Sequence, residues 1–157
     1  MIEERVRTVL DGLEVAYETM PCDPDLADTA AFCEHYGVAL ADSANAILLA
    51  SKRPAGVHAM FIVLATTRLD VNGMSRQLMG VKKVSFADAD TTMAITGMEV
   101  GGVTPFGAPG EIPVFVDSAV MDRDRVVVGG GSRSMKVTVD PSAFVELGAT
   151  VVEGLAA

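Results

Sequence analysis

Few residues in this chain have the types and spacing to do chemistry, and the most informative of them would do it with their backbone. The segment Thr96-Gly97-Met98-Glu99-Val100-Gly101-Gly102-Val103-Thr104-Pro105-Phe106-Gly107 places four glycines and one proline in twelve residues. That composition excludes a regular helix or a central strand and requires a shaped loop. Without a Cβ, Gly101 and Gly102 let their N–H groups approach a ligand, while Pro105 stiffens the turn. Such a loop can donate hydrogen bonds to a carboxylate, carbonyl or phosphate. A tight surface connection is the other use of the same residues.

Side-chain signatures of catalysis are sparse. His35 and His58 are the only histidines, and Cys33 and His35 stand two apart on a helical stretch, where they share no face, so no metal site is expected. Ser132, in Gly130-Gly131-Ser132-Arg133-Ser134, lacks the second glycine of a nucleophile elbow. Gly129-Gly130-Gly131 lacks the Lys-Ser/Thr of a phosphate loop, and Gly101-Gly102 does not open a helix after a strand, so no nucleotide cofactor is expected. Cys22 and Cys33 read as reduced thiols, and the nine methionines as adaptable core filler.

The net charge of -9 disfavours broad, sequence-independent binding to nucleic acid, because neutralising phosphate requires positive charge, and no DNA partner is expected. Its distribution is uneven. No Lys or Arg occurs from Asp11 through Ser51, whereas Lys52, Arg53, Arg68, Arg76, Lys82 and Lys83 follow with only Asp70 against them. A basic patch on an acidic protein or an uneven solvated surface both fit this pattern. The start lacks a signal-peptide pattern, and the longest apolar run, Ala59 to Ala65, is far too short to span a bilayer. The expectation is one cytoplasmic domain over residues 1–157 with no membrane partner.

The elements that must position these residues alternate along the chain. Val6, Val9, Leu10 and Leu13 recur at helical spacing, and Tyr17 to Met20 reads as a short strand. Thr29 is the expected cap of a second helix that stops at Gly37. Ala44 to Ala50 and Val57 to Ala65 form a hairpin, since their connection is too short for a parallel crossover. Asn72 is expected to cap a helix ended by Gly80, and Asp88 one that delivers the chain into the glycine loop. Val84 to Ala87, Ile112 to Val116, Arg125 to Val128, Met135 to Val139 and Thr150 to Val152 read as strands, with a helix from Pro141 to Leu147. About seven strands with interspersed helices imply a mixed α/β fold and not a doubly wound parallel sheet.

In this order, the glycine loop, Leu78-Met79-Gly80-Val81-Lys82-Lys83-Val84-Ser85-Phe86-Ala87, Ile112-Pro113-Val114-Phe115-Val116-Asp117 and Gly129-Gly130-Gly131 resemble the YbaK/prolyl-tRNA synthetase-associated editing domain family. The resemblance covers nearly the whole chain, and Gly101-Gly102-Val103-Thr104-Pro105 matches the family's Gly-x-x-x-Pro loop. It implies a mixed, barrel-like sheet flanked by helices and hydrolysis of aminoacyl-tRNAs that carry the wrong amino acid, with an aminoacyl-tRNA synthetase as a further partner. Gly101 and Gly102 would then hold the substrate carbonyl or terminal ribose. Ile47, Val103, Thr104, Pro105, Phe106, Gly107, Gly130 and Gly131 would contact substrate, and Lys52, Arg53, Lys82 and Lys83 would meet tRNA.

One departure stands out. Many family deacylases carry a lysine inside the first strong strand, in a pattern like apolar-apolar-Lys-Thr-Leu, whereas Ser43-Ala44-Asn45-Ala46-Ile47-Leu48-Leu49 puts Asn45 there. Asn45 can donate hydrogen bonds but carries no charge. Two readings stay open: a deacylase with an altered polar set, and a non-catalytic module that binds aminoacyl-tRNA, an amino-acid-like ligand or a synthetase. A pocket recruited to an unrelated small ester or amide is a third.

Overall fold

The computed structural model describes residues 1–157. The two longest apolar runs become β2 (Ala44–Arg53) and β3 (Ala55–Leu64), an antiparallel hairpin in register from Ala44↔Leu64 to Ala50↔His58. Both faces of this hairpin are covered, which explains why its sequence is continuously apolar and not alternating. Met60 and Ile62 join the main core, while Phe61 and Val63 join a second cluster with Leu69, Val84 and Leu155 on the opposite face. β4 (Lys83–Phe86) pairs antiparallel with β2, β5 (Val114–Asp117) runs parallel to β3, and β8 (Thr150–Val152) parallel to β5. The order of this mixed sheet is β4-β2-β3-β5-β8.

A second, antiparallel sheet has the order β1-β7-β6, from β1 (Tyr17–Pro21), β6 (Val126–Gly129) and β7 (Met135–Val139). A parallel bridge, Ser43↔Val127, joins the start of β2 to β6. Neither sheet closes on itself, so two open sheets stand where a barrel-like sheet was expected. Val126, Val128 and Val137 from the small sheet meet Met60, Ile62 and Val116 from the large one in the main core.

The helices cover these sheets: α1 (Ile2–Leu13), α2 (Thr29–Tyr36), α3 (Arg76–Met79), α4 (Ala89–Thr96), α5 (Ser118–Met121) and α6 (Ser142–Leu147). Asp88 caps α4 as expected, accepting the Thr91 N–H at 2.7 Å, and Gly97 ends it at φ 73°. Two other caps differ from expectation. Asp28, not Thr29, occupies the cap position of α2, and Asp70, not Asn72, accepts the Gly73 and Met74 N–H groups at 3.0 Å each. That capped turn, Val71–Ser75, is π-helical and leads into α3. No helix is long and apolar enough to cross a membrane.

Candidate functional site

A cavity of about 380 Å³ opens between the start of α2, the first half of β2 and the glycine loop, with β6 and β7 behind it. Thr29 and Phe32 contribute from α2, Asn45 and Ile47 from β2, Gly101 and Val103 from the loop. Phe86 and Val100 also line it and are 61% and 51% exposed, so they mark its mouth.

The loop is held by its own backbone. The Gly102 N–H donates to the Glu99 carbonyl at 2.8 Å, and the Gly102 carbonyl accepts the Gly131 N–H at 2.7 Å. Gly102 therefore has no amide left for a ligand. The Gly101 and Val103 N–H groups make no hydrogen bond within the chain, and both residues line the cavity. These two amides are the available donors.

The late glycine run is the seat of this loop. A Cβ on Gly129 would overlap the Val103 carbonyl and Gly102, and a Cβ on Gly102 would overlap the Ser132 backbone. Gly130 lies against the Met135 carbonyl, and Gly131, at φ 99°, against Ile2 and Val6. Close backbone packing requires glycine at these positions. Gly129 lines the cavity, whereas Gly130 and Gly131 do not.

Two cations from β7 and the turn before it tie the loop to the segment entering α2. Lys136, only 6% exposed, donates from Nζ to the Ala27 and Gly101 carbonyls at 2.7 Å each, and Nζ lies 5.3 Å from the Phe32 ring centre. Burial pushes the Lys136 ammonium below the usual lysine range; Cys22 works in the opposite direction, the nearby Arg133 charge adds to the lowering, and Asp28 and Cys33 also oppose it. No carboxylate forms a salt bridge with it. Arg133 donates to the Pro24 and Val100 carbonyls at 2.8 Å each and to Asp28 at 3.0 Å.

Lys136 escaped the sequence reading because Met135-Lys136-Val137-Thr138-Val139 reads as a strand with a polar face, on which a lysine would be solvated. The usable signal was its place in an apolar run just after the glycine seat. Asn45 lines the cavity, and its side-chain oxygen accepts the Thr29 hydroxyl at 2.6 Å. The charged amine of this cavity comes from β7 and not from β2.

The other expected residues lie outside the cavity. Thr104, Pro105 and Phe106 are buried, with Phe106 stacked on Phe144 at 5.5 Å in the main core and the Thr104 hydroxyl unpartnered. Gly107, at φ 93°, abuts Arg5 and Val6. Lys52 and Arg53 end β2, where Arg53 pairs in register with Lys83 and its carbonyl accepts the Lys82 N–H at 2.8 Å. The four basic residues are exposed, and none forms a salt bridge. Phe86 lies three residues along β4 from Lys83, about 10 Å away at the rise of a strand.

Residues 23–147 match the aminoacyl-tRNA editing domain family, and the chain belongs to that family. Among its relatives is the uncharacterized protein YwhH of Bacillus subtilis strain 168, 30% identical over 113 residues that span 72% of this chain and 69% of YwhH. The crystal structure of the hypothetical protein APE2540 superposes with a TM-score of 0.85 at 25% identity, over 98% of this chain and 99% of that one. A candidate trans-editing enzyme for prolyl tRNA synthetase shares the fold with a TM-score of 0.81 at 19% identity, over 97% of this chain and 95% of that one.

Proposed function

We propose that this chain hydrolyses the ester of mischarged aminoacyl-tRNA and that the aminoacyl end enters the cavity beside the glycine loop. The observation that carries this reading is the pair of unspent amides, Gly101 and Val103, on one wall of a cavity that also holds Asp28 and Lys136. An α-aminoacyl ester is complementary to that wall. Its ammonium faces the Asp28 carboxylate, and its carbonyl oxygen takes the amides as charge develops on it. Phe32, Leu48 and Val127 supply apolar surface for the side chain. Discrimination by such a surface is worth only about 1 to 3 kcal/mol per methylene, which gives a separate editing step its use.

The reaction adds a water oxygen to the ester carbonyl carbon and then breaks the bond to the ribose oxygen, which leaves with a proton. Asp28 is the only carboxylate lining the cavity and is held by Arg133, and no histidine lines it. The proton from water therefore passes through the neighbouring ribose hydroxyl, which accepts it while giving its own proton to the departing ribose oxygen. Lys52, Arg53, Lys82 and Lys83 offer phosphate contacts on the path to the mouth at Phe86. The missing protein base favours the second reading, a module that binds aminoacyl-tRNA without cleaving it. Release of labelled amino acid from a panel of mischarged tRNAs separates the two. Turnover on any member supports the hydrolase, binding without turnover supports the module, and neither removes both.

A further inference from the structure

We propose that Lys136 is the cation that holds the substrate carbonyl in this cavity, with its remaining N–H directed to the acyl oxygen. This assignment rests on reading the cavity as an aminoacyl site. An ammonium has three donors, and Lys136 spends two of them on the Ala27 and Gly101 carbonyls. The third has no acceptor within the chain, and the side chain borders the cavity. Lys136 bonds only neutral carbonyls, and burying an ammonium with no carboxylate paired to it is costly, so its charge calls for an acceptor that the chain does not supply. Arg133 already ties the loop to the segment before α2 through Pro24 and Val100. The charge of Lys136 is thus surplus to tethering.

Charge placement gives the chemical class of the ligand. Asp28 and Lys136 are the only charged residues lining the cavity; Asp28 is largely exposed and Lys136 almost fully buried. A ligand that fits has an ammonium towards the solvent side, an oxygen acceptor further in and an apolar branch. An α-aminoacyl group has that layout. The Nζ group bonds the Gly101 carbonyl, so the ammonium stands beside the loop residue whose amide is unspent, where charge grows on the acyl oxygen in the transition state.

The test compares two ligands in native protein and Lys136→Met. One is 3′-amino-3′-deoxyadenosine acylated with alanine, the smallest chiral side chain and so the one that any side-chain pocket admits. The other is its trans-alkene isostere, which keeps shape and α-amine but has no carbonyl oxygen. The native protein is expected to prefer the carbonyl ligand by at least about tenfold more than Lys136→Met does, as a charge-assisted bond requires. Equal weakening of both ligands in Lys136→Met overturns the assignment and leaves Lys136 a tether. If Lys136→Met does not fold, the native protein decides. Its carbonyl preference is expected to fall along an alkaline limb below the ordinary lysine range; the groups facing Lys136 are Cys22, Arg133, Asp28 and Cys33, and a preference constant to that range, or a limb that Cys22→Ser with Cys33→Ser removes, overturns the assignment. Retained hydrolysis without the carbonyl coupling removes only Lys136, whereas binding of neither ligand together with no turnover on the tRNA panel removes the aminoacyl reading itself.

Discussion

A methyl group at position 102 probes how the glycine loop is seated. Gly102 is buried, its Cβ would overlap the Ser132 backbone, and its carbonyl accepts the Gly131 N–H at 2.7 Å. Gly102→Ala therefore must lift the loop or shift the turn at Ser132. Overpacking of this kind costs about 1 to 3 kcal/mol, and a lost backbone hydrogen bond adds about 1 kcal/mol. At about 2 to 4 °C per kcal/mol for a chain of this size, the melting temperature is expected to fall by roughly 4 to 16 °C. Lifting the loop also moves the Gly101 and Val103 amides, and a displacement of about 1 Å can cost on the order of a hundredfold in rate. Gly12→Ala is the control: nothing lies within 4 Å of the new Cβ in the middle of the last turn of α1, so stability is expected to rise by about 0.5 to 1 kcal/mol. Thermal unfolding and deacylation are measured on both variants. Gly102→Ala that melts with the native protein and keeps full activity refutes the seating of the loop on the second glycine run.

Lys82→Ala combined with Lys83→Ala is expected to weaken tRNA binding and lower its salt slope by about two, with little dependence on tRNA identity, as read from affinities across a salt series. Phe86→Ala is expected to weaken binding of the terminal nucleotide by about 1 to 3 kcal/mol, the worth of one base on an aromatic ring, and to leave melting unchanged because Phe86 is 61% exposed. Asn45→Ala strands the Thr29 hydroxyl and removes a neutral donor from the cavity, so a loss of about 0.5 to 1.5 kcal/mol in activity, roughly three- to tenfold, is expected in steady-state assays. The pKa of Lys136 is lower in the folded chain than in the unfolded one, so the unfolded state binds its proton more tightly. Its desolvation penalty is complete below the folded value and is relieved as pH rises towards the ordinary lysine value. The melting difference between native protein and Lys136→Met is thus expected to shift in favour of the native protein at alkaline pH, and a flat difference counts against a buried charge.

Local pattern carried the elements well where one interaction decides them. Asp88 caps α4 by accepting the Thr91 N–H, with Asp90 left inside the first turn, and Ala44 to Ala50 pairs with the run after Pro54 because the connection allows nothing else. The cap at Asp70 was less legible. Asp70 and Asn72 are both good caps, and the choice fell to a π-helical turn that no propensity encodes. The division into two open sheets depends on contacts between β2 and β6, which are distant in sequence.

For the site, glycine content announced a shaped loop but not which way its amides point. Gly101 and Gly102 look alike in the sequence, yet the Glu99 carbonyl takes the N–H of one and leaves that of the other. Nor does glycine content show that the loop is packed against Gly129 and Ser132 and not spread on the surface, which is why a side chain at Gly102 disturbs the fold. Phe106 is core for the same reason. Lys136 was hidden by the alternation rule itself, since both faces of β7 are covered.

The central claim is that the cavity beside Gly101 and Val103 hydrolyses an aminoacyl ester, and the most direct measurement is release of labelled amino acid from mischarged tRNAs by the purified native protein. The expected result is turnover on at least one mischarged tRNA, lowered on the order of a hundredfold by Gly102→Ala and retained by Gly12→Ala. The contradicting result is intact mischarged tRNA across the whole panel, with a folded protein and saturating enzyme.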